Sequence, residues 1–205
     1  MREFLHTSLI ENNHIVSSDT EEKFIAYLTL LQKWNRVHNL TAIRDEKQSV
    51  LLHILDSLSI QPYLHGHFLI DVGTGAGLPG IPLALTCPDH HFVLLDSNSK
   101  KIRFLSQVLY ELQLKNVEIV HARCENFNPE KKFDSILSRA FASIQVMLAT
   151  TQHLLSDNGQ CLAMKGAYPE KEIREIIPPF HLIAIHPLRI KGLEAERHLI
   201  CVGKS

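Results

Sequence analysis

The stretch Asp71-Val72-Gly73-Thr74-Gly75-Ala76-Gly77 is where residue types and spacing point most directly to chemistry. It follows the apolar run Phe68-Leu69-Ile70, which reads as a buried strand. It precedes a segment that should start a helix near Pro79. Glycines in such a loop permit positive φ and let a ligand approach the backbone closely. At the carboxyl end of a strand in an open α/β sheet, the loop is a cofactor loop. Two registers compete. Gly75, Gly77 and Gly80 match the dinucleotide pattern G-x-G-x-x-G, with Asp96 near the ribose-binding distance. That register sets the strand end too early. It also puts Leu78-Pro79 inside the turn, where proline removes an N–H that a pyrophosphate needs. Residues 71–77 match acid-x-Gly-x-Gly-x-Gly in full. A carboxylate at the strand end repels a pyrophosphate and suits a cationic ligand such as a sulfonium or an ammonium. Asp96, ending the next strand, can accept from both hydroxyls of a ribose.

Other chemistry-bearing residues argue mainly by exclusion. Cys87, Cys124, Cys161 and Cys201 are far apart and form no C-x-x-C pair, so neither a zinc site nor a disulfide framework is expected. Free thiols in a reducing compartment fit better. His65-Gly66-His67 and His90-His91 are the only clusters among 13 histidines, and no metal is expected at either. Lys and Arg total 21 against 22 Asp and Glu, which excludes a generic basic nucleic-acid coat. RNA binding would need a local basic face. The N-terminus Met1-Arg2-Glu3-Phe4 lacks an apolar signal region, and the most apolar window, 68–85, is broken by glycines and prolines. The expectation is a cytoplasmic protein without a membrane span.

The elements that must hold the loop follow from periodicity. Residues 1–60 read as helices, with Phe24, Ile25, Leu28, Leu31 and Trp34 on one face and Leu51, Ile54, Leu55 and Leu58 on another. Asp19 or Thr20 is the expected N-cap of the second helix, and Asn35 to Asn39 breaks its pattern. Strands are expected at 68–72, 91–95, 117–120, 133–137, 161–164, 181–186 and 198–202. Helices fall at 99–112, 144–155 and 170–177, with a turn at Asp157-Asn158-Gly159. The alternation implies an α/β doubly wound, mostly parallel, seven-stranded sheet. Its last two strands lack a helix between them and should pair as an antiparallel hairpin on the sheet edge. Residues 1–60 would be a helical extension packed on a core of 61–205. No unexplained apolar stripe is left over, which favours a monomer.

With these features the chain resembles the class I S-adenosylmethionine-dependent methyltransferases. Further residues narrow the resemblance. They are Lys33-Trp34-Asn35 with Asn39-Leu40-Thr41, His53-Ile54-Leu55-Asp56-Ser57-Leu58, Gly77-Leu78-Pro79-Gly80-Ile81-Pro82, Leu95-Asp96-Ser97 and Lys100-Lys101. Arg123-Cys124-Glu125, Ser138-Arg139-Ala140, Met164-Lys165-Gly166 and Glu196-Arg197-His198 extend it. From about residue 20 onward the sequence is similar to the bacterial 16S rRNA methyltransferase G family, also called glucose-inhibited division protein B.

That resemblance implies S-adenosylmethionine as cofactor and methylation of N7 of one guanine in a decoding-region loop of 16S rRNA. It implies cofactor contacts from Gly73 and Leu78 through the loop, and from Cys124 and Glu125 beside the adenine. Arg139 would face a cavity shared by cofactor and substrate. Asp96 joins this set on the ribose argument above. Cys124 stands where Ala or Val is the family expectation, a comparable small apolar wall. Arg123, Lys165 and Arg197 lie at strand ends or loops on the cofactor side and would meet RNA. Lys100, Lys101 and Arg103 open one helix, where a solvated face is the plain alternative, and for Arg139 the alternative is a buried ion pair. No catalytic base is expected, because N7 loses no proton on methylation. The chain reads Ser138-Arg139-Ala140-Phe141 where amino-group methyltransferases carry Asn/Asp-Pro-Pro-aromatic. The competing functions are a methyltransferase for a small molecule or protein, an NAD-binding oxidoreductase, and a non-enzymatic RNA-binding factor.

Overall fold

The computed structural model describes residues 1–140 and 143–204. Helices α1 (Arg2–Glu11) and α2 (Ser18–His38) lead into α3 (Glu46–Ser49), a π-helical turn Val50–Leu55 and α4 (Asp56–Leu58). Strand and helix then alternate: β1 (Phe68–Val72), α5 (Gly80–Thr86), β2 (His91–Asp96), α6 (Ser99–Leu112), β3 (Val117–His121) and β4 (Phe133–Arg139). The chain finishes with α7 (Ile144–Thr151), β5 (Leu155–Lys165), α8 (Glu170–Arg174), β6 (Phe180–Pro187) and β7 (His198–Lys204).

The sheet order is β3-β2-β1-β4-β5-β7-β6. The first five strands pair in parallel, and β7 runs antiparallel to both β5 and β6. The expected antiparallel final hairpin is present on the sheet edge. Strand β7 lies inside the sheet and β6 alone forms the edge. The reason is burial: Leu199 to Val202 are all buried, so β7 needs cover on both faces. Leu182 and Ile183 of β6 stay exposed, an apolar edge that sequence pattern alone did not flag.

Two-residue alternation sorts the strands' side chains between two cores. Leu69, Phe92, Leu94, Leu137, Leu162 and Leu199 face one core with α1, α2, α5 and α6. Ile70, Val93, Leu95, Ile136, Cys161 and Ile200 face the other with α7. Leu5, Phe24, Leu28 and Leu58 of the N-terminal helices belong to the same core as Leu69 and Phe104, so those helices cover one face of the sheet. Chain direction across the sheet reverses between β1 and β4. Their carboxyl ends therefore border the crevice where open α/β sheets bind ligands.

Local chemistry moved several boundaries. Ser17, not Asp19 or Thr20, caps α2, its hydroxyl accepting the Thr20 amide at 3.1 Å. The helix continues through Asn35, whose side chain accepts the Thr41 amide at 2.9 Å, and stops at Asn39 in the left-handed region. Asp157-Asn158-Gly159 makes no turn between elements. Phe133 pairs with Leu155 and Ser135 with Gln160, so those residues form a bulge inside a longer β5. Helices α7 and α8 end short of expectation, at Thr151 and Arg174.

Candidate active site

The loop after β1 is built on Asp71. Its carboxylate is fully buried, and Oδ2 accepts from Thr74 Oγ1 at 2.7 Å and from the Gly80 amide at 2.9 Å. Burial lifts its pKa to about 6. Asp71 therefore ties the loop to the start of α5 from below and does not face a ligand. This is the loop-ordering role that an acid at this position also offers, in place of direct contact with a bound cation. Tyr27, a fully buried residue of α2, props the loop from the other side by donating to the Ala76 carbonyl at 2.8 Å.

Gly73, Gly75 and Gly77 all have positive φ, at 69°, 63° and 88°. Their surroundings differ. Gly73 is exposed, and a Cβ on Gly75 would come no nearer than 3.9 Å to any neighbour, one of which is Lys101 Nζ. A Cβ on Gly77 would stand 2.5 Å from Ile81, and one on Gly80 would stand 2.2 Å from Leu94. Gly77 and Gly80 thus allow α5 to pack on the sheet, while Gly73 and Gly75 keep an opening clear. Two of the three glycines in the dinucleotide register serve packing. Leu78 is buried in the core, with its amide donating to Thr74 O at 3.0 Å, so it shapes the loop from inside.

Asp96 ends β2 at the edge of this opening. Its Oδ2 accepts from the Gly75 amide at 2.9 Å and from Lys101 Nζ at 3.2 Å, and its Oδ1 accepts from the Asn98 amide at 2.9 Å. After β3, Arg123 precedes a 3-10 turn, Cys124–Asn126. Cys124 is buried and its thiol donates to Thr150 O at 3.3 Å, while Glu125 and Arg123 are exposed. Burial pushes the Cys124 thiol up to about 11, so it is no nucleophile at neutral pH. The donor set fits a nucleoside bearing a sulfonium: a glycine cradle open at Gly75, an acceptor carboxylate, and a small apolar wall.

A cavity of about 440 Å³ is lined by Thr41, His53, Asp56, Arg139, Lys165 and Arg197 among others, and the charge of Arg139 acts on Asp71 of the loop. Arg139 ends β4, and Arg197 directly precedes β7. Arg139 Nη1 donates to Leu52 O at 2.7 Å and to Asp56 Oδ2 at 3.3 Å, while Arg197 Nε donates to Asp56 Oδ1 at 3.1 Å. Lys165 pairs with Glu172 of α8 at 2.8 Å. His53 is buried, and burial plus the charge of Arg139 pushes its pKa down to about 4, so it is neutral. Ala140 takes a left-handed φ of 59° at the rim. Phe141 lies outside the described residues.

Thus Arg139, Lys165 and Arg197 meet in one cavity, Asp96 bonds the loop that holds Gly73, and Cys124 shares a core cluster with Val72 at the end of β1, with Glu125 exposed next to it. Arg123 stands at the far side, beside Cys124. Sequence reasoning missed Thr41, His53 and Asp56 as cavity residues. A signal was present: His53 and Asp56 are polar residues three apart on a helix otherwise built of Leu51, Ile54, Leu55 and Leu58. Trp34 packs against the core, as its helical spacing implies. Its Nε1 donates to Gln107 at 2.8 Å and its ring meets Phe104 edge-on. Among the described residues, no group of three or more His, Cys, Asp or Glu could hold a metal. No helix among them is long and apolar enough to cross a membrane.

The family model for rRNA small subunit methyltransferase G (GidB) matches residues 20–200. This chain belongs to that family. It is 45% identical over 197 residues to ribosomal RNA small subunit methyltransferase G of Idiomarina loihiensis, covering 96% of each chain. It is 48% identical to the protein of the same name from Ectopseudomonas mendocina, covering 93% of this chain and 90% of that one. Solved structures repeat the fold. The glycopeptide N-methyltransferase MtfA in complex with S-adenosyl-L-homocysteine superposes with a TM-score of 0.64 at 11% identity, over 75% of this chain and 87% of that one. TrmN from Thermus thermophilus gives 0.59 at 18% identity, over 83% of this chain and 53% of that one. The mostly parallel seven-stranded sheet is therefore the class I methyltransferase fold.

Proposed function

We propose that this protein transfers a methyl group from S-adenosylmethionine to N7 of a guanine in 16S rRNA, within the decoding-region loop of the small subunit. Membership of the rRNA small subunit methyltransferase G family across residues 20–200 carries this reading. Support comes from Arg139 of the arginine-lined cavity, which ends β4, the strand paired with β1, and whose charge acts on Asp71 of the glycine loop.

S-adenosylmethionine, when bound, supplies a methyl group made electrophilic by its sulfonium. Gly73, Leu78, Asp96, Cys124 and Glu125 would hold it. Gly73 and Gly75 leave backbone room, Asp96 would accept from ribose hydroxyls, and Cys124 with Glu125 would border the adenine. Arg139, Lys165 and Arg197 receive the RNA, neutralising phosphate and orienting the base. Arg123 extends that basic path. Guanine N7 carries an in-plane lone pair and releases no proton on methylation, so no side chain acts as a base. The protein's contribution is alignment and charge. The protein acts as a monomer on a ribosomal RNA substrate, without a metal.

Cofactor choice is tested by thermal unfolding. S-adenosylhomocysteine at about 100 times its Kd should stabilise the fold by about 2.7 kcal/mol. For a chain of this size that raises Tm by roughly 5 to 10 °C. NAD should leave Tm unchanged. Stabilisation by NAD and not by S-adenosylhomocysteine would mean that the loop has been misassigned.

A further inference from the structure

Asp56, like Thr41 and His53, lines the cavity but has no place in the scheme above. Asp56 carries its two oxygens to two different arginines, Oδ1 to Arg197 Nε at 3.1 Å and Oδ2 to Arg139 Nη1 at 3.3 Å. Those arginines come from distant points of the chain. In the sheet, β4 and β7 are separated by β5. Two guanidiniums brought to one cavity repel unless an anion stands between them. The Asp56 side chain is 5% exposed, whereas those of Arg139 and Arg197 are 24% and 22% exposed. The carboxylate is thus sealed behind the pair, and the pair faces the cavity.

The backbone around Asp56 is shaped for the same purpose. It follows the π-helical turn, in which its own N–H reaches back five residues to Leu51 O. Single π-helical turns concentrate at functional sites. The neighbouring carbonyl, Leu52 O, accepts from Arg139 at 2.7 Å. Arg139 therefore meets this turn twice, through Asp56 and through Leu52. A guanidinium has five N–H donors. The described bonds use Nη1 of Arg139, and Nε and Nη1 of Arg197, the last of these on Glu196 O at 2.7 Å. The other donors are available to a phosphate, which guanidiniums bind in bidentate fashion.

We propose that Asp56 is a positioning residue, which holds Arg139 and Arg197 side by side so that their remaining donors converge on a phosphate of the entering nucleotide. The proposal rests on the RNA reading above. Asp56 does not touch the substrate. It acts through the two arginines, and the N-terminal helices thereby take part in substrate binding.

Asp56→Asn keeps the shape and removes the charge. KM for small-subunit rRNA should rise at least roughly tenfold, while the Kd for S-adenosylhomocysteine stays within about twofold. In an Arg197→Ala background the same change should cost less than it does in wild type, because one of the two residues it acts through is gone. A KM within twofold of wild type, or losses that multiply in the double variant, would overturn the proposal. If Asp56→Asn does not fold, Arg197→Lys reads the same geometry. It keeps the charge but lacks the Nε–H that Asp56 accepts, and KM should again rise about tenfold. A KM within twofold there would show that charge alone suffices. Wild-type turnover is measured in parallel. Wild type that binds S-adenosylhomocysteine but methylates no rRNA would defeat the RNA reading and this proposal with it, an outcome distinct from failure of the variants alone.

Discussion

Arg139→Ala should cut methyl transfer to rRNA by about 100-fold or more, the scale on which a single preorganised charged donor acts. It should lower Tm by only a few degrees. The asymmetry comes from the geometry at Asp56. With Arg139 gone, that carboxylate still accepts from Arg197 at 3.1 Å and is not left without a counter-charge. The Leu52 carbonyl loses one donor, a modest cost. Turnover and thermal unfolding on the same preparations give both numbers. Losses that run in parallel, with activity falling only as far as folded protein falls, would make Arg139 a structural ion-pair member and remove it from the site.

The second large effect is on the loop itself. Asp71→Ala strands two donors, Thr74 Oγ1 and the Gly80 amide, in a fully buried place. The expected cost is about 4 kcal/mol, taking about 2 for each orphaned group. Cofactor binding should be lost with it, because the loop is no longer tied to α5. The pH dependence carries a specific sign. Burial holds the Asp71 carboxyl at about 6 in the fold, above its ordinary 3.8. Between those values the folded protein keeps a proton that the unfolded chain has released. Stability contributed by this group therefore falls as pH rises from about 4 to about 6, by at most about 1.4 kcal/mol per pH unit. Asp56 is shifted in the same direction, so the wild-type slope is shared. Asp71→Asn removes only its own part. Urea titrations across that pH window should show a shallower slope in the variant. An unchanged slope would mean that Asp71 stays ionised in the fold.

How far the sequence could be read depended on the range of the interactions. The strands around Leu69, Phe92 and Ile136 were legible because a sheet covered on both faces demands apolar runs. Helix α6 matched its expected limits, Ser99 to Leu112, because Ile102, Leu105, Leu109 and Leu112 repeat at helical spacing, although the buried face is Phe104, Leu105, Val108 and Leu112. The place of β7 between β5 and β6 was not legible. Pairing order depends on contacts far apart in the chain, and local pattern gives only the pairing partners. The bulge at Asp157-Asn158-Gly159 misled for a related reason, since those residue types suit a turn and a bulge equally.

At the site, the residue types were legible but their directions were not. Asp71 was correctly seen at the strand end. Only its burial and its bonds to Thr74 and Gly80 show that it points beneath the loop. Likewise Lys165 reads as a free cation in sequence, and its partner Glu172 arrives from α8. Asp56 went unassigned because the arginines that give it meaning lie on β4 and just before β7. The resemblance to the methyltransferase G family, drawn from short motifs, is matched by the family model over residues 20–200.

The most direct test is transfer of a radiolabelled methyl group from S-adenosylmethionine to small-subunit rRNA, or to subunits from cells lacking this protein, followed by digestion and separation of nucleosides. The account predicts label in 7-methylguanosine alone. Label in another nucleoside would contradict the proposed atom. No label in RNA from a protein that still binds S-adenosylhomocysteine would contradict the proposed substrate.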